Sequence, residues 1–260
     1  MEYIGKGLQI HHTTDRAPEE GIFSRHAHRQ YEILYFMGGE ARCIIEQHQH
    51  TLREGELILI PPRAYHFIKI LGPAPYRRTV LNFDRCDVRP EVLNALFREP
   101  TVIDSAKSPE LAALFARLHR YLERFHGEDR RRLAENLLTE LVYLLDDCEG
   151  DRVRDDYRSD LPEQALRYIE EHLTEIRSAE EISRALFISR SRLYAVFTES
   201  FGLPPMGYLN EKRLLAADAR IALGEKPARA AAACGFGDYS AFYRAYKKRF
   251  GHSPKEQRNG

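Results

Sequence analysis

His26, His28, Glu32 and His66 are the residues of this 260-residue chain whose types and spacing could do metal or ligand chemistry. They stand in His26-Ala-His28-Arg-Gln-Tyr-Glu32 and in Pro61-Pro-Arg-Ala-Tyr-His66. Side chains alternate between the two faces of a strand, so His26 and His28 point one way, and Glu32 shares their face if the strand is regular. His66 would come from a neighbouring strand. Three imidazoles and a carboxylate could hold a divalent transition metal such as Zn, Fe, Mn, Ni or Cu. Without metal, the same groups make hydrogen-bond partners for a small polar molecule such as a sugar. A buried His–Glu pair can also be purely structural. The residues leave all three readings open. Arg42, Tyr35, Asn82 and Arg78 are further pocket candidates by alternation on neighbouring strands, and the plainer reading of each is solvation or packing. His11-His12 could be read as a metal site, and the plainer reading is a solvated pair.

The elements that must position these groups are strands. Tyr31-Glu-Ile-Leu-Tyr-Phe, Ala41-Arg-Cys-Ile-Ile-Glu, Leu57-Ile-Leu-Ile and Thr79-Val-Leu-Asn-Phe are short and rich in β-branched or aromatic residues. Gly38-Gly39, Glu54-Gly55, Pro61-Pro62 and Gly72-Pro73 punctuate them, which indicates a small barrel or jelly roll. Residues 1–20 are polar and read as a partly extended arm whose order depends on ligand. The two stretches, His26 to Gly38 and Gly55 to His66, together resemble the two cupin motifs, H-x-H-x3-E…G and G-x5-P-x3–4-H. Arg63 replaces the usual Gly of the second motif, and the Asn that often follows its His is absent.

From about residue 90 the pattern turns helical. Leu111, Leu114, Phe115, Leu118, Leu122 and Phe125 form one apolar stripe, and Leu133, Leu137, Leu138, Leu141, Leu144 and Leu145 form another. These helices are expected to cover the barrel. Residues 149–160 are charged and hold few apolar side chains, which marks a linker. It divides a domain over 1–148 from a domain over 161–260.

The second domain carries its own pattern. Ser178-Ala-Glu-Glu181 is a capping box that opens a helix. Phe187-Ile188 form a turn, Ser189 caps the next helix, and Gly202 ends it. The plan repeats where the Ala-rich helix of Pro227 to Cys234 meets Gly235, and Asp238 caps a helix whose Phe242, Tyr246 and Phe250 share one face. Two helices joined by a tight turn, the second polar and basic outside, make a helix-turn-helix unit. A long helix, about Pro205 to Leu223, joins the two units. Ile188-Ser-Arg-Ser-Arg-Leu-Tyr-Ala-Val-Phe197, Phe201-Gly-Leu-Pro-Pro205, Tyr208-Leu-Asn-Glu-Lys-Arg213 and Cys234-Gly-Phe through Gly251-His-Ser-Pro254 occur in order. Over 169–258 the chain thereby closely resembles the DNA-binding domain of the AraC/XylS family of bacterial transcription regulators.

That resemblance implies two recognition helices in successive major grooves on one face of the DNA. Ser191, Tyr194 and Ala195 take positions that commonly meet base edges, with Arg190 or Arg192 free to bind phosphate. Tyr239, Ser240, Ala241 and Arg244 take the corresponding positions in the second unit. It also implies that one covering helix pairs with its twin in an antiparallel homodimer, that RNA polymerase is the protein partner, and that activation is the usual outcome.

Bulk numbers fit a sensor joined to a reader. From Leu161 onward there are 16 Lys+Arg against 12 Asp+Glu, and residues 1–160 carry 23 against 27. The basic excess is small, so DNA binding should depend on placed contacts more than on a broad field. Cys43, Cys86, Cys148 and Cys234 are widely spread, with no C-x-x-C, and read as reduced thiols. The N-terminus has no signal-peptide stretch and no run approaches a membrane span, which predicts a cytoplasmic protein with no membrane partner. No nucleophile–base set, P-loop or dinucleotide fingerprint is present, and no catalytic residue is assigned.

The expected class is α+β in two domains: a cupin-like β-barrel with covering helices, then an all-α domain of two helix-turn-helix units. The expected function is a sequence-specific DNA-binding transcription regulator that answers to a small sugar-like effector. The alternatives are a metal-dependent cupin enzyme or a direct metal sensor, each fused to a DNA-binding domain.

Overall fold

Alternation of side chains lets the central strands of the first unit's larger sheet serve two cores at once. The computed structural model describes residues 2–18, 21–46, 48–148, 150–152 and 161–258; the side chains of 21–26, 151, 152, 163 and 258 lie outside that description. Backbone contacts divide the chain into Met1–Tyr157 and Arg158–Gly260.

The first unit contains β1 (Glu2–Gly5), β2 (Leu8–Asp15), β3 (Gly21–His26), β4 (Tyr31–Gly38), β5 (Ala41–Ile45), β6 (His48–Thr51), β7 (Glu56–Ile60), β8 (His66–Ile70), β9 (Tyr76–Phe83), β10 (Thr101–Asp104) and β11 (Asp151–Arg152). A seven-stranded sheet runs β1-β2-β9-β4-β7-β10-β11 and a four-stranded sheet runs β3-β8-β5-β6. Every recorded strand pair is antiparallel, as in β4 against β9 and β5 against β8. On β4, Leu34 and Phe36 face inward and meet Cys43, Ile45 and Ile68 of the small sheet in one apolar core. Ile33 of the same strand faces the other way, into a second core. β7 is buried along its whole length because Leu57 and Leu59 enter the second core while Ile58 and Ile60 enter the first. A strand covered on both faces reads as a continuous apolar run, as this one does.

The second core is closed by α1 (Pro90–Leu96), α2 (Pro109–Arg124) and α3 (Gly127–Asp146). The stripe of α2 is buried at Leu111, Leu114, Phe115, Leu118 and Leu122, and that of α3 at Leu137, Leu138, Leu141 and Leu145. So the covering role expected of these helices is met.

Two expectations are corrected here. Residues 1–20 are not an arm along their described length: β1 and β2 form a hairpin through Gly7 (φ +82°), and β2 pairs with all of β9. Ile10 is fully buried by that pairing. Nor is His12 a solvated residue. Its Nδ1 lies 3.0 Å from Thr79 Oγ1, which lies 2.8 Å from His119 Nε2 on α2. Burial, with His12 beside it, pushes the His119 pKa down to about 4, so this imidazole joins helix to sheet in its neutral form. The charged stretch expected to act as linker begins with the two paired residues of β11.

The second unit is helical: α4 (Leu161–Glu171), α5 (Ala179–Ala185), α6 (Arg190–Phe201), α7 (Pro205–Ala222), α8 (Pro227–Ala233), α9 (Tyr239–Phe250) and α10 (Pro254–Arg258). Its caps follow the local sequence. Ser189 Oγ accepts the N–H of Arg192, and the Asp238 carboxylate accepts those of Ser240 and Ala241. Gly202 and Gly251 end α6 and α9 in the left-handed region. Cys43 and Cys234 are buried, Cys86 and Cys148 half-buried, and all four are free thiols.

Candidate effector site and nucleic-acid interface

Glu32 is the centre of a polar cluster inside the barrel. It lies on the inner face of β4, with Ile60 of β7 on one side and Asn82 of β9 on the other. Its Oε2 lies 2.8 Å from His28 Nε2 and 3.3 Å from His66 Nε2. His28, just before β4, and His66, at the start of β8, reach it from different sheets, so the barrel must close for the three to meet. Their donor atoms all lie within 4.8 Å of one another.

Backbone carbonyls decide which ring nitrogens face Glu32. His28 Nδ1 donates to Gln30 O at 3.0 Å, and His66 Nδ1 donates to Ala64 O at 2.9 Å. A carbonyl only accepts, so both rings carry a proton on Nδ1. Each Nε2 then meets the carboxylate favourably only when it holds a second proton or shares a cation with Glu32. The electrostatics agree. Burial alone would raise the Glu32 pKa, but His66 and His28 hold it well below the usual carboxylate range. Burial alone would lower the His66 pKa, but Glu32 outweighs it and raises the value.

The four expected ligands therefore divide. His28, Glu32 and His66 come together. The side chain of His26 lies outside the described residues, and only its backbone pairing with His66 is seen.

Two effector candidates are corrected. Tyr35 is three residues from Glu32, an odd offset, so it faces the helices; its ring stacks on Phe115 with centroids 4.2 Å apart. Arg42 adjoins Cys43, which belongs to the inner core, so Arg42 shares the opposite face with its register partner Lys69. Its Nη1 reaches Gln49 Oε1 at 3.5 Å. Asn82 and Arg78 do fall on the inner face, two residues either side of the inward Val80.

In the second unit, the residues expected at DNA lie on the outer faces of two capped helices. Arg190, Ser191, Arg192 and Ala195 are exposed on α6, with Tyr194 half-buried. Tyr239, Ser240, Ala241 and Arg244 are exposed on α9. Beneath them, Leu193, Val196 and Phe197 anchor α6, and Phe242 and Tyr246 anchor α9. Among the described residues, no ion pair engages Arg190, Arg192 or Arg244. Arg249, in contrast, is bound to Glu211 of α7.

Polar contacts that local patterns do not announce fix the two helix-turn-helix units to each other. Arg213 of α7 is buried and donates to Leu173 O at 2.7 Å and Ile176 O at 2.6 Å. Arg177 donates to Gly235 O at 2.9 Å, and Tyr246 donates to the buried Asp218 at 2.6 Å. A charged residue inside a helix that is otherwise apolar on that face is the one signal that could have found Arg213.

A barrel with an inward polar cluster, joined to two helix-turn-helix units, defines a DNA-binding regulator with a ligand-binding domain. The pattern of the AraC-like ligand binding domain matches residues 9–142, and that of a helix-turn-helix domain matches residues 182–260. The chain belongs to the AraC family of transcription regulators, and it is a regulator rather than an enzyme.

Among its relatives, it is 39% identical over 88 residues to the probable transcriptional regulator LumQ of Photobacterium leiognathi, a match that spans 34% of this chain and 36% of LumQ. It is 25% identical over 256 residues to the HTH-type transcriptional activator RhaS of Escherichia fergusonii, across 93% of this chain and 89% of RhaS. Among solved structures, ToxT of Vibrio cholerae with an unsaturated fatty acid bound is similar at a TM-score of 0.39 and 16% identity, over 98% of this chain and 96% of that one. No described helix is long and apolar enough to cross a membrane.

Proposed function

We propose that the chain controls transcription in response to a small polar, sugar-like effector held at His28, Glu32 and His66. The observation that carries this reading is the polar cluster on the inner face of a barrel that is otherwise lined by Leu34, Phe36, Ile58, Ile60 and Val80. Polar groups converging in an apolar cavity fix the orientation of a ligand. Arg190, Ser191, Arg192, Tyr194 and Ala195 of the first unit, and Tyr239, Ser240, Ala241 and Arg244 of the second, meet double-stranded DNA. The guanidinium groups of Arg190, Arg192 and Arg244, which no ion pair engages among the described residues, suit guanine edges or phosphates. The protein works as a cytoplasmic homodimer paired through a covering helix, with RNA polymerase as its partner and activation as its output. RhaS, an activator matched along most of this chain, supports that direction. Effector binding shifts DNA affinity by no more than its differential affinity for the two states.

A thermal-melt screen of the full chain against sugars, sugar acids and polyols, each with and without chelator, tests this. A ligand present at about a thousand times its dissociation constant adds roughly 4 kcal/mol to the unit that binds it. A shift that resists chelator supports the organic effector.

The Nδ1-bound imidazoles favour a second reading, in which a divalent metal joins His28, Glu32 and His66. Two Nε2 lone pairs and a carboxylate oxygen suit such an ion. It would supply a positive charge for ligand oxygens. A melt that falls with chelator alone, and DNA affinity that follows metal concentration, would favour this reading.

A further inference from the structure

We infer that the two recognition helices select different bases: Arg244 of α9 takes a guanine, while Ala195, its counterpart on α6, meets the methyl group of a thymine. The inference rests on the DNA-contact reading above and assigns to each helix the base that it selects.

Internal symmetry of the second unit defines the counterparts. α6 and α9 are each 12 residues long, capped by the side chain that precedes them and ended by a left-handed glycine. α6 begins at Arg190 and α9 at Tyr239, so residues forty-nine apart correspond. The buried anchors obey that offset, Leu193 with Phe242 and Phe197 with Tyr246. So do Pro205 and Pro254, which open the next helices. Two outer positions then hold the same residue in both helices, Ser191 with Ser240 and Tyr194 with Tyr243. A difference in what the helices read must come from the positions that differ.

The sharpest of those differences sits at the middle of the outer face. With about 100° between successive residues, Arg244 stands opposite the buried pair Phe242 and Tyr246, and Ala195 takes the same place on α6. Both are exposed. A side chain there points along the line on which a recognition helix enters the major groove. Arg190 and Arg192 lie about 100° to either side of Ser191, so they flank that line on the side of the phosphates. An arginine on the line reaches N7 and O6 of guanine with two N–H groups, and guanine alone presents that pair of acceptors. Among the described residues no ion pair competes for the Arg244 guanidinium. Alanine has no such reach. Its methyl group brings the helix close to the base edges, and the edge it complements is the apolar C5-methyl of thymine. Charge follows the same division. One turn further on, α9 exposes Lys247 and Lys248 where α6 exposes Thr198 and Glu199. The two ammonium groups hold phosphates beside the base that Arg244 reads, whereas Glu199 repels them.

Selection from a library of DNA duplexes with a random central segment tests the assignment, with the full chain and three variants as bait. The unaltered chain is expected to enrich two blocks about 10 base pairs apart, one with a fixed guanine and one with a fixed thymine. Arg244→Ala should erase the guanine preference and weaken binding to the enriched site roughly five- to a hundredfold. Arg244→Lys should keep more of the affinity than Arg244→Ala and still relax the preference, because it retains the charge and loses the fork. Ala195→Arg should replace the fixed thymine of the other block with guanine. Thermal melts establish that the variants, all altered at exposed positions, are folded. If Arg244→Ala weakens every sequence equally and leaves the guanine fixed, Arg244 holds a phosphate. If Ala195→Arg leaves the thymine fixed, residue 195 does not face the bases. Either result overturns the inference and leaves the DNA-contact reading standing. No enriched sequence with the unaltered chain would overturn both.

Discussion

The two helix-turn-helix units close their turns with one hydrogen-bond pattern and opposite side chains. In the first, Phe187 N–H donates to Arg184 O at 3.2 Å and Ile188 N–H to Ser183 O at 3.0 Å. In the second, Gly235 N–H donates to Ala232 O at 3.1 Å and Phe236 N–H to Ala231 O at 3.1 Å. Each is a Schellman-type end with a left-handed residue at its tightest point. That residue is Gly235 (φ +86°) in one unit and Phe187 (φ +55°) in the other. The surroundings explain only half of the contrast. Gly235 is buried against backbone: a Cβ there would lie 2.7 Å from Thr174 O and 2.9 Å from Thr174 Cα. Phe187 projects its ring into solvent at 96% exposure, so a side chain fits, although nothing offsets the cost of its backbone conformation. The same turn is locked by contact in one unit and open in the other.

Breaking the lock should give the largest effect. Gly235→Ala puts a β-branched-free but chiral residue into the left-handed region, at about 1–2 kcal/mol, and forces the Thr174 backbone to move, at a further 1–3 kcal/mol or so. A loss of about 3 kcal/mol in the denaturant unfolding of the second unit is expected. A loss under about 1 kcal/mol would mean that the close approach to Thr174 is not rigid.

Arg213 tests the same junction from the other side, since its Nε is 3.0 Å from the position of that hypothetical Cβ. Arg213→Met keeps the stem and strands the carbonyls of Leu173 and Ile176. About 2–3 kcal/mol should be lost. Because the two sites touch, Gly235→Ala and Arg213→Met should be non-additive in a double-mutant cycle.

Caps give a smaller contrast. Asp238 accepts two N–H groups and places a negative charge at a helix N-terminus, whereas Ser189 accepts one and carries no charge. Asp238→Ala is expected to cost about 1–2 kcal/mol and Ser189→Ala about 0.5–1 kcal/mol. Equal losses in thermal unfolding would show that the charge contributes nothing here.

What was legible in the sequence follows the range of the interactions. Ser178, Ser189, Asp238, Gly202 and Gly251 act on residues at most five away, and a local pattern shows them. The meeting of His28, Glu32 and His66 was legible because two motifs and strand parity together point inward. Parity alone also separates Tyr35 from Glu32, so that error was avoidable. Asn82 and Arg78 were named by the same alternation, whereas the facing of Arg42 depends on how β5 registers against β8, and nothing near residue 42 reports it. Residues 2–15 read as polar because β1, at the sheet edge, and β2 beside it are half-exposed, and the partner that buries Ile10 lies about seventy residues away. His12 is bonded to Thr79 for the same long-range reason.

Phe187→Gly is the smallest change and the most informative, because its sign is opposite to the others. Glycine relieves a left-handed cost of about 1–2 kcal/mol and gives back about 0.5–1 kcal/mol through a freer unfolded chain. Little burial is lost from a ring that is 96% exposed. A net gain of about 0.5–1 kcal/mol in the unfolding of the second unit is expected. If stability rises and DNA affinity is unchanged, the two turns differ only in packing, and Gly235 is required where Phe187 is merely tolerated. If stability rises while DNA affinity falls, the ring is a contact maintained at the expense of stability, and the two units are unequal in function as well as in their turns. A fall in stability would instead mean that the Phe187 ring packs in solution, and the contrast between an open and a locked turn would fail.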